Sequence, residues 1–273
     1  SDTYEVERER WLEHRNSIRA VRIREILAND DPIDVDAASS ALGYPLRGRH
    51  LALVLWTEQS DSPGKELLRL ERFTRAAAEA LRLRHTPLFV AEDTVSGWAW
   101  LPIDRVRADP AGTIRRLAET TDNSVFLALG VVDSGLAGFR RSHRLARVAR
   151  KVATASGAAP RVTAADDQGI AVAALLAENV DETRRWVLDT LGALASDTAN
   201  DARLRETLRV FLQESGSYTT AAKKLVLHPN SVRYRVNRAL ERRGRPIGDD
   251  RLDVELALLA CEHFRQAVLR PVG

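Results

Sequence analysis

Methionine is absent from this 273-residue chain, cysteine occurs once, and aromatic residues make up only 5% of it. The single thiol, Cys261, excludes a disulfide framework within the chain and leaves no Cys-rich metal site. It lies in the apolar stretch LDVELALLACEHF, where a small buried thiol is the ordinary expectation. The six histidines, His14, His50, His85, His143, His228 and His263, include no pair at i, i+4, so a helical zinc motif is excluded. Neither a Gly-x-Ser-x-Gly elbow nor a P-loop occurs, which removes hydrolase and kinase readings, and no cofactor is implied. No apolar run is long enough to cross a bilayer and no signal-peptide pattern opens the chain. We therefore expect a cytoplasmic protein with no membrane partner. The lack of methionine, with Ser1 at the start, leads us to expect a processed or cloned fragment with a domain missing upstream.

The hydrophobic content of 44% is that of a globular protein, and the length suffices for two domains with their own cores. Net charge is only +3, yet Arg203 to Arg245 holds eleven Lys or Arg against three acidic residues, leaving −5 for the remainder. A basic segment of this kind attracts a phosphate backbone through counterion release.

Within that segment, GSYTTAAKKLVLHPNSVRYRV (Gly216 to Val236) reads as two short helices joined by a tight turn. The Ser217 hydroxyl is placed to cap the first helix, and Ala221, Ala222 and Leu225 form its inward face, small enough for a second helix to cross closely. Leu227-His228-Pro229-Asn230 supplies the turn, since proline is tolerated in a first helical turn. In the second helix Val232, Val236, Ala239 and Leu240 make the apolar stripe, and a long basic, hydrogen-bonding face points elsewhere. Such a helix suits the major groove. Asn230, Ser231, Tyr234 and Arg238 are the candidates for base or groove contacts. Lys223, Arg233, Arg235 and Arg242 are the candidates for phosphate, and His228 shapes the turn and touches the backbone.

These residues resemble the C-terminal helix-turn-helix of PucR/CdaR-type transcriptional regulators, itself similar to that of Fis. The match rests on Leu204, Thr207, Leu208, Gly216, Ala221, Ala222, Leu225, the run His228-x-Asn230-Ser231-Val232-x-Tyr234-Arg235, and Leu256 with Ala257. Ser231 stands where the family usually has Thr, and Pro229 where it often has Arg, at the expense of one phosphate contact. The resemblance implies double-stranded DNA as partner, and a small-molecule effector of unspecified identity. One helix-turn-helix covers few base pairs, so a homodimer or higher even oligomer on repeated half-sites is expected.

Upstream, Tyr4 to Ala28 reads as an amphipathic helix with Trp11, Ile18, Val21 and Ile26 on one face, either packed on its own domain or serving to connect or dimerise. A helix over Val35 to Leu42 ends at Gly43, and Leu51 to Trp56 is a strand buried on both faces. Then come a helix (Lys65 to Arg84), two strands (Pro87 to Ala91, Gly97 to Ile103), a helix (Pro110 to Thr120), a strand (Val125 to Val132), a basic helix (Arg140 to Ala155) and a short strand (Arg161 to Thr163). The order predicts an α+β domain with an antiparallel-rich sheet, followed by an all-α helix-turn-helix domain. We divide the chain into a helical linker (1–44), the α+β domain (45–167), a helical connector (168–200) and the DNA-binding domain (201–273). In the last helix Leu252, Leu256, Leu259 and Phe264 are expected as the apolar seam.

The stretches LGYPLRGRHLALVLW and ALGVVDSGLAGFRRSHRLARVA look like the GGDEF-like domain of CdaR-type regulators, and Leu191-Gly192-Ala193-Leu194 like the family's joint. An active cyclase of that kind needs a glycine-rich hairpin and paired carboxylates for Mg²⁺. Here the hairpin is Asp93-Thr94-Val95-Ser96-Gly97-Trp98-Ala99-Trp100, with one glycine and bulky indoles. A degenerate, non-catalytic scaffold or sensing module is therefore expected. A nucleotide-binding or cyclase-like signalling domain using Glu92 and Asp93 is the alternative, and a pure protein-interaction module a third. Trp98 and Trp100 share a strand face, as core or as the lining of a pocket. His143 with Arg140, Arg141 and Arg144 reads as a solvated helix face or an anion site.

Overall fold

The computed structural model describes residues 18–28, 33–57, 65–104, 109–121, 124–156 and 160–271. The chain divides into two units, one of Ser1–Arg150 with Pro160–Ile170 and one of Lys151–Ala159 with Ala171–Gly273. The elements up to the end of the first unit are α1 (residues 18–28), α2 (Val35–Leu42), β1 (Arg49–Thr57), α3 (Lys65–Ala80), β2 (Leu88–Ala91), β3 (Ser96–Pro102), α4 (Pro110–Thr120), β4 (Val125–Leu129), β5 (Asp133–Ser134), α5 (Gly135–Ala155) and β6 (Val162–Ala164).

The sheet order is β2-β3-β1-β4-β6, with β5 pairing β1, and every pairing is antiparallel except β4 with β6. β1 is apolar along almost its whole length because helices cover both sheet faces. The register aligns Leu51 with Leu101, Leu53 with Leu129 and Leu55 with Leu127. That row packs against Leu70, Phe73 and Ala77 of α3 and Ile114 and Ala118 of α4. The alternate row, with Trp98 opposite Val54 and Trp100 opposite Ala52, meets α5, where Phe139 stacks on Trp100 at 4.3 Å between centroids. Burial on this scale is what the tryptophan pair does: Trp100 has no exposed surface and its Nε1 donates to the Phe139 carbonyl at 3.2 Å.

Besides α3, which ends at Ala80 and not Arg84, and α5, which begins at Gly135 and not Arg140, three expectations change in this unit. His143 is not on a solvated face: it is buried between Trp98 (4.6 Å) and Trp100 (5.2 Å). Burial, with the Arg147 charge adding to it, pushes its pKa down to about 3, so it is a neutral core ring and no anion holder. In α1 the buried face is Ala20, Ile23 and Ile26, while Ile18 and Val21 point outward. The phase is set by Arg140, whose Nε donates to the Ile26 carbonyl at 2.7 Å, and by Arg24, which lies over Trp98. Trp11 falls outside the described residues. β4 stops at Leu129, three residues early: the Gly130 N–H still donates to Ala52 at 2.9 Å, but α5 crosses directly over Gly130 and the chain turns into β5. The hydroxyl of Ser142 on α5 accepts from the Ala52 N–H at 2.8 Å, an approach only a glycine at 130 permits.

The second unit is helical: α6 (Ile170–Leu176), α7 (Val180–Leu191), a 3₁₀ turn (Gly192–Ala195), α8 (Ala199–Gln213), α9 (Tyr218–Leu225), α10 (Pro229–Arg243), α11 (Arg251–Phe264) and a final 3₁₀ turn (Arg265–Ala267). Its caps are local side chains: Asn179, Thr198, Ser217 and His228 each accept from a backbone N–H of the helix they begin. The stripe of α11 is Val254, Ala257, Leu258, Cys261 and Phe264, a different phase from the expected seam. Leu252 is 65% exposed and Leu256 and Leu259 are only half-buried, because small residues at 257, 260 and 261 bring that face closest to α7 and α8. Burial pushes the Cys261 thiol up to about 12 against the pull of Arg205, so it stays a neutral packing group.

Polar groups lock α7, α8 and α10 together. The side chain of Arg243 has no exposed surface, donates through Nε to the Thr190 carbonyl at 3.0 Å and through a terminal nitrogen to Pro246 at 2.8 Å, and pairs with Asp250. Gly192, at φ +56°, backs onto the Arg243 carbonyl, where a Cβ would stand 2.8 Å away.

The turn between α9 and α10 carries Val226 at φ 53°, ψ 48°, 90% exposed. A β-branched residue in the left-handed region is an outlier costing about 1–2 kcal/mol. Val226→Gly is expected to raise the stability of this unit by roughly 1 kcal/mol, offset in part by glycine's greater unfolded-state freedom. Chemical denaturation monitored by hydrogen exchange in α9 and α10 checks it, and a lowered midpoint would sink the assignment of strain.

Candidate nucleic-acid interface

α9 and α10 form a helix-turn-helix whose packing fixes which residues of α10 face out. Val232, Val236 and Ala239 are buried against the rest of the unit, with Ala221 and Ala222 of α9 buried at the crossing. Leu225 and Leu240, expected with them, are half-buried. The opposite side therefore presents Asn230, Ser231, Tyr234 and Arg238, all exposed, with Tyr234 at 65%. Pro229 occupies the first helical position, and His228 precedes it as the cap, its Nδ1 accepting from the Asn230 N–H at 3.2 Å.

The two flanks of α10 differ. On one, Arg233 lies over the Tyr218 ring at 4.9 Å, and Tyr218 stacks in turn on Phe211, so an aromatic platform from α8 and α9 orients that guanidinium. On the other, α8 and α10 enclose a groove of about 270 Å³ lined by Asn200, Arg203, Leu204, Tyr234, Arg235 and Arg238. Arg238 makes an exposed i, i+3 pair with Glu241, a contact weak enough to exchange for a ligand. Lys223 is exposed in the last turn of α9.

Arg242, expected among the phosphate contacts, has another task. Its guanidinium pairs with both oxygens of Asp201 at 2.9 Å and donates to the Ala193 carbonyl at 3.0 Å. Burial alone would raise the Asp201 carboxyl. The hydrogen bonds from Arg242 and Thr198, with the charges of Arg242 and Arg205, outweigh it and hold the carboxyl below the usual range. The clamp is ionised at neutral pH. Its stabilisation is complete above the ordinary carboxylate range and is lost as pH falls through the depressed value. Sequence reasoning missed the Asp201 partner because it stands 41 residues away. It also missed the Tyr218 platform and the α8 wall of the groove. The i, i+3 polar pair Asn200 and Arg203, beside buried Leu204 and Leu208, is the signal that marks that wall.

In the first unit, the two carboxylates weighed for a nucleotide site have structural partners. Asp93 accepts from the Val95 and Ser96 N–H groups at 2.8 and 2.7 Å and closes the hairpin. Glu92 pairs with Arg150 at 2.6 Å. A Cβ on Gly97 would meet the Phe89 ring at 2.7 Å, so that glycine makes room for an aromatic neighbour. Among the described residues no helix is long and apolar enough to cross a membrane.

Comparison with known proteins agrees with both halves of this description. A GGDEF-like domain model matches residues 27–152, and a PucR C-terminal helix-turn-helix domain model matches residues 204–260. The "Uncharacterized protein YxkF" of Bacillus subtilis (strain 168) is 35% identical over 65 residues, 23% of this chain and 22% of that protein. The "Uncharacterized protein in pkwA 5'region" of Thermomonospora curvata is 43% identical over 58 residues, 21% of this chain and 32% of that protein. The chain thus spans a third or less of the curated relatives it matches. The "Regulator of Polyketide Synthase Expression from Bifidobacterium adolescentis" aligns over 92% of this chain and 99% of that one, at 21% identity and a TM-score of 0.42.

Residues 204–260 are accordingly a helix-turn-helix domain of the DNA-binding class. The chain thus carries a match to a GGDEF-like domain followed by a match to a PucR C-terminal helix-turn-helix domain.

Proposed function

We propose that this chain is a cytoplasmic transcriptional regulator that binds double-stranded DNA sequence-specifically, with the N-terminal half of α10 in the major groove. The observation that carries the reading is the exposed row Asn230, Ser231, Tyr234, Arg238 directly opposite the buried Val232, Val236, Ala239 stripe. Donors for base edges thus line the open face of a helix held rigidly from behind, from its first turn to Arg238. Lys223, Arg233 and Arg235 serve the phosphates, and His228 sets the turn. The GGDEF-like unit acts as a non-catalytic module for sensing a small-molecule effector or for pairing. The regulator works as a homodimer or higher even oligomer whose recognition helices engage half-sites about 34 Å apart, or a multiple.

Selection of bound genomic fragments by the purified chain, followed by footprinting, tests this. Asn230→Ala or Arg238→Ala is expected to cost about 1–3 kcal/mol at one base pair and to relax preference there. Loss that is equal on every sequence would move that residue to the phosphate set. A monomer in sedimentation, both free and on DNA, protecting one half-site as well as two, would remove the oligomer. Product formation in a Mg²⁺-nucleotide titration would remove the non-catalytic assignment.

A further inference from the structure

The geometry points to a phosphodiester site on α8, a helix outside the turn motif: Arg203, with Arg235 across the groove, holds the backbone of the DNA strand on the flank of α10 away from Tyr218. This rests on the DNA-binding reading and adds a second anchoring wall to it.

A helix with its side chains is about 10–12 Å across, and the major groove is about 12 Å wide. A helix that fills the groove therefore meets a row of phosphates on each flank. On one flank α9 supplies the wall, with Arg233 held over Tyr218. On the other the wall is α8, and Asn200 and Arg203 face Tyr234, Arg235 and Arg238 across the groove.

The charge in that groove is of one sign. Its lining has three guanidiniums and no carboxylate. Several other guanidiniums of this unit have carboxylate partners (Arg242 has Asp201, Arg243 has Asp250, Arg209 has Glu262 and Arg251 has Glu255), while Arg205 is held by the Leu194 and Ser196 carbonyls and Arg233 by the Tyr218 ring. Arg238 has Glu241 at the groove's edge. Among the described residues, neither Arg203 nor Arg235 has a carboxylate within ion-pair distance. Two like charges facing each other repel, and an anion placed between them turns that repulsion into two charge-assisted hydrogen bonds. Leu204, buried directly beside Arg203, fixes the wall's position relative to α10.

The test uses the full chain and a labelled duplex of random sequence, with affinity measured between roughly 50 and 200 mM salt. Arg203→Ala is expected to reduce the slope of log K against log salt by about 0.9, shrinking the affinity lost across that range roughly 3.5-fold. Arg203→Lys should restore the slope, and the Arg203→Ala, Arg235→Ala double variant should lose about twice as much. Arg116→Ala, in the first unit, should change nothing. Arg203 is exposed, so the variants should keep the wild-type circular dichroism spectrum.

An unchanged slope for Arg203→Ala beside a flattened one for Arg235→Ala overturns the α8 site and leaves the DNA-binding reading intact. Failure of the wild type to bind any duplex at low salt removes both. Inorganic phosphate that binds the wild type and not Arg203→Ala, with the DNA slope unmoved, would make the groove a free-anion site and overturn the proposal. A loss confined to particular sequences would overturn it too, since a backbone contact weakens all sequences alike.

Discussion

Arg243→Ala is expected to destabilise the helical unit by about 3 kcal/mol, the lower end for removing one partner of a buried pair. The lower end applies because Asp250 keeps 28% of its side chain exposed and can rehydrate. The Thr190 and Pro246 carbonyls lose a charged donor at the same time. Loss of hydrogen-exchange protection in α7 and α10, measured against denaturant, reads the effect directly. Removing Asp250 as well, in an Arg243→Met, Asp250→Ala variant, should recover part of it, because no charge then lacks its partner. A change below about 1 kcal/mol for the single variant would mean that water replaces the guanidinium without penalty.

Gly130→Ala should cost the first unit about as much, near the top of the roughly 1–3 kcal/mol usual for overpacking. The added carbon would fall inside the van der Waals envelope of the Ser142 carbonyl oxygen and 2.6 Å from its hydroxyl. Both atoms belong to α5 at the point where it touches the sheet: the carbonyl is backbone, and the hydroxyl is held in place by the Ala52 N–H at 2.8 Å. Either α5 lifts or β1 and β4 part, and exchange of the Ala52 and Gly130 amides should rise together. A thermal midpoint equal to that of the wild type would show that the helix can slide at no cost.

What the sequence made legible was mostly local. The boundaries of α2 and α4 follow from side chains within a few residues: the Asp34 cap and Gly43, and the Asp109 cap with Pro110 behind it. The stripe Val232, Val236, Ala239 was readable for the same reason, since a 3.6-residue period and one proline fix both phase and start. Misreadings came where a distant partner decides. Ile18 and Val21 have the right spacing for a buried face, but Arg140, more than a hundred residues on, turns α1 the other way. Arg242 has the charge of a phosphate contact, yet Asp201 claims it. His143 lies among arginines in the sequence and between indoles in space. Leu252 lost its place in the α11 seam because smaller residues permit a closer approach than leucine does.

The knot around Gly192 and Arg243 has a mechanical meaning. It grips α10 at its C-terminal end, while Asn230 and Ser231 sit thirteen and twelve residues away, about 20 Å along the axis. On the proposed DNA-binding reading, α10 moves as one body with the α9 packed on it, a lever with its fulcrum at one end and its reading tip at the other. A tilt of about 5° at the fulcrum swings the tip by roughly 1.7 Å over that length. Base-edge hydrogen bonds tolerate only a few tenths of an ångström. The last turn of α7 supplies the Thr190 carbonyl that seats the fulcrum, so on that reading a small displacement there is magnified into loss of register at the DNA.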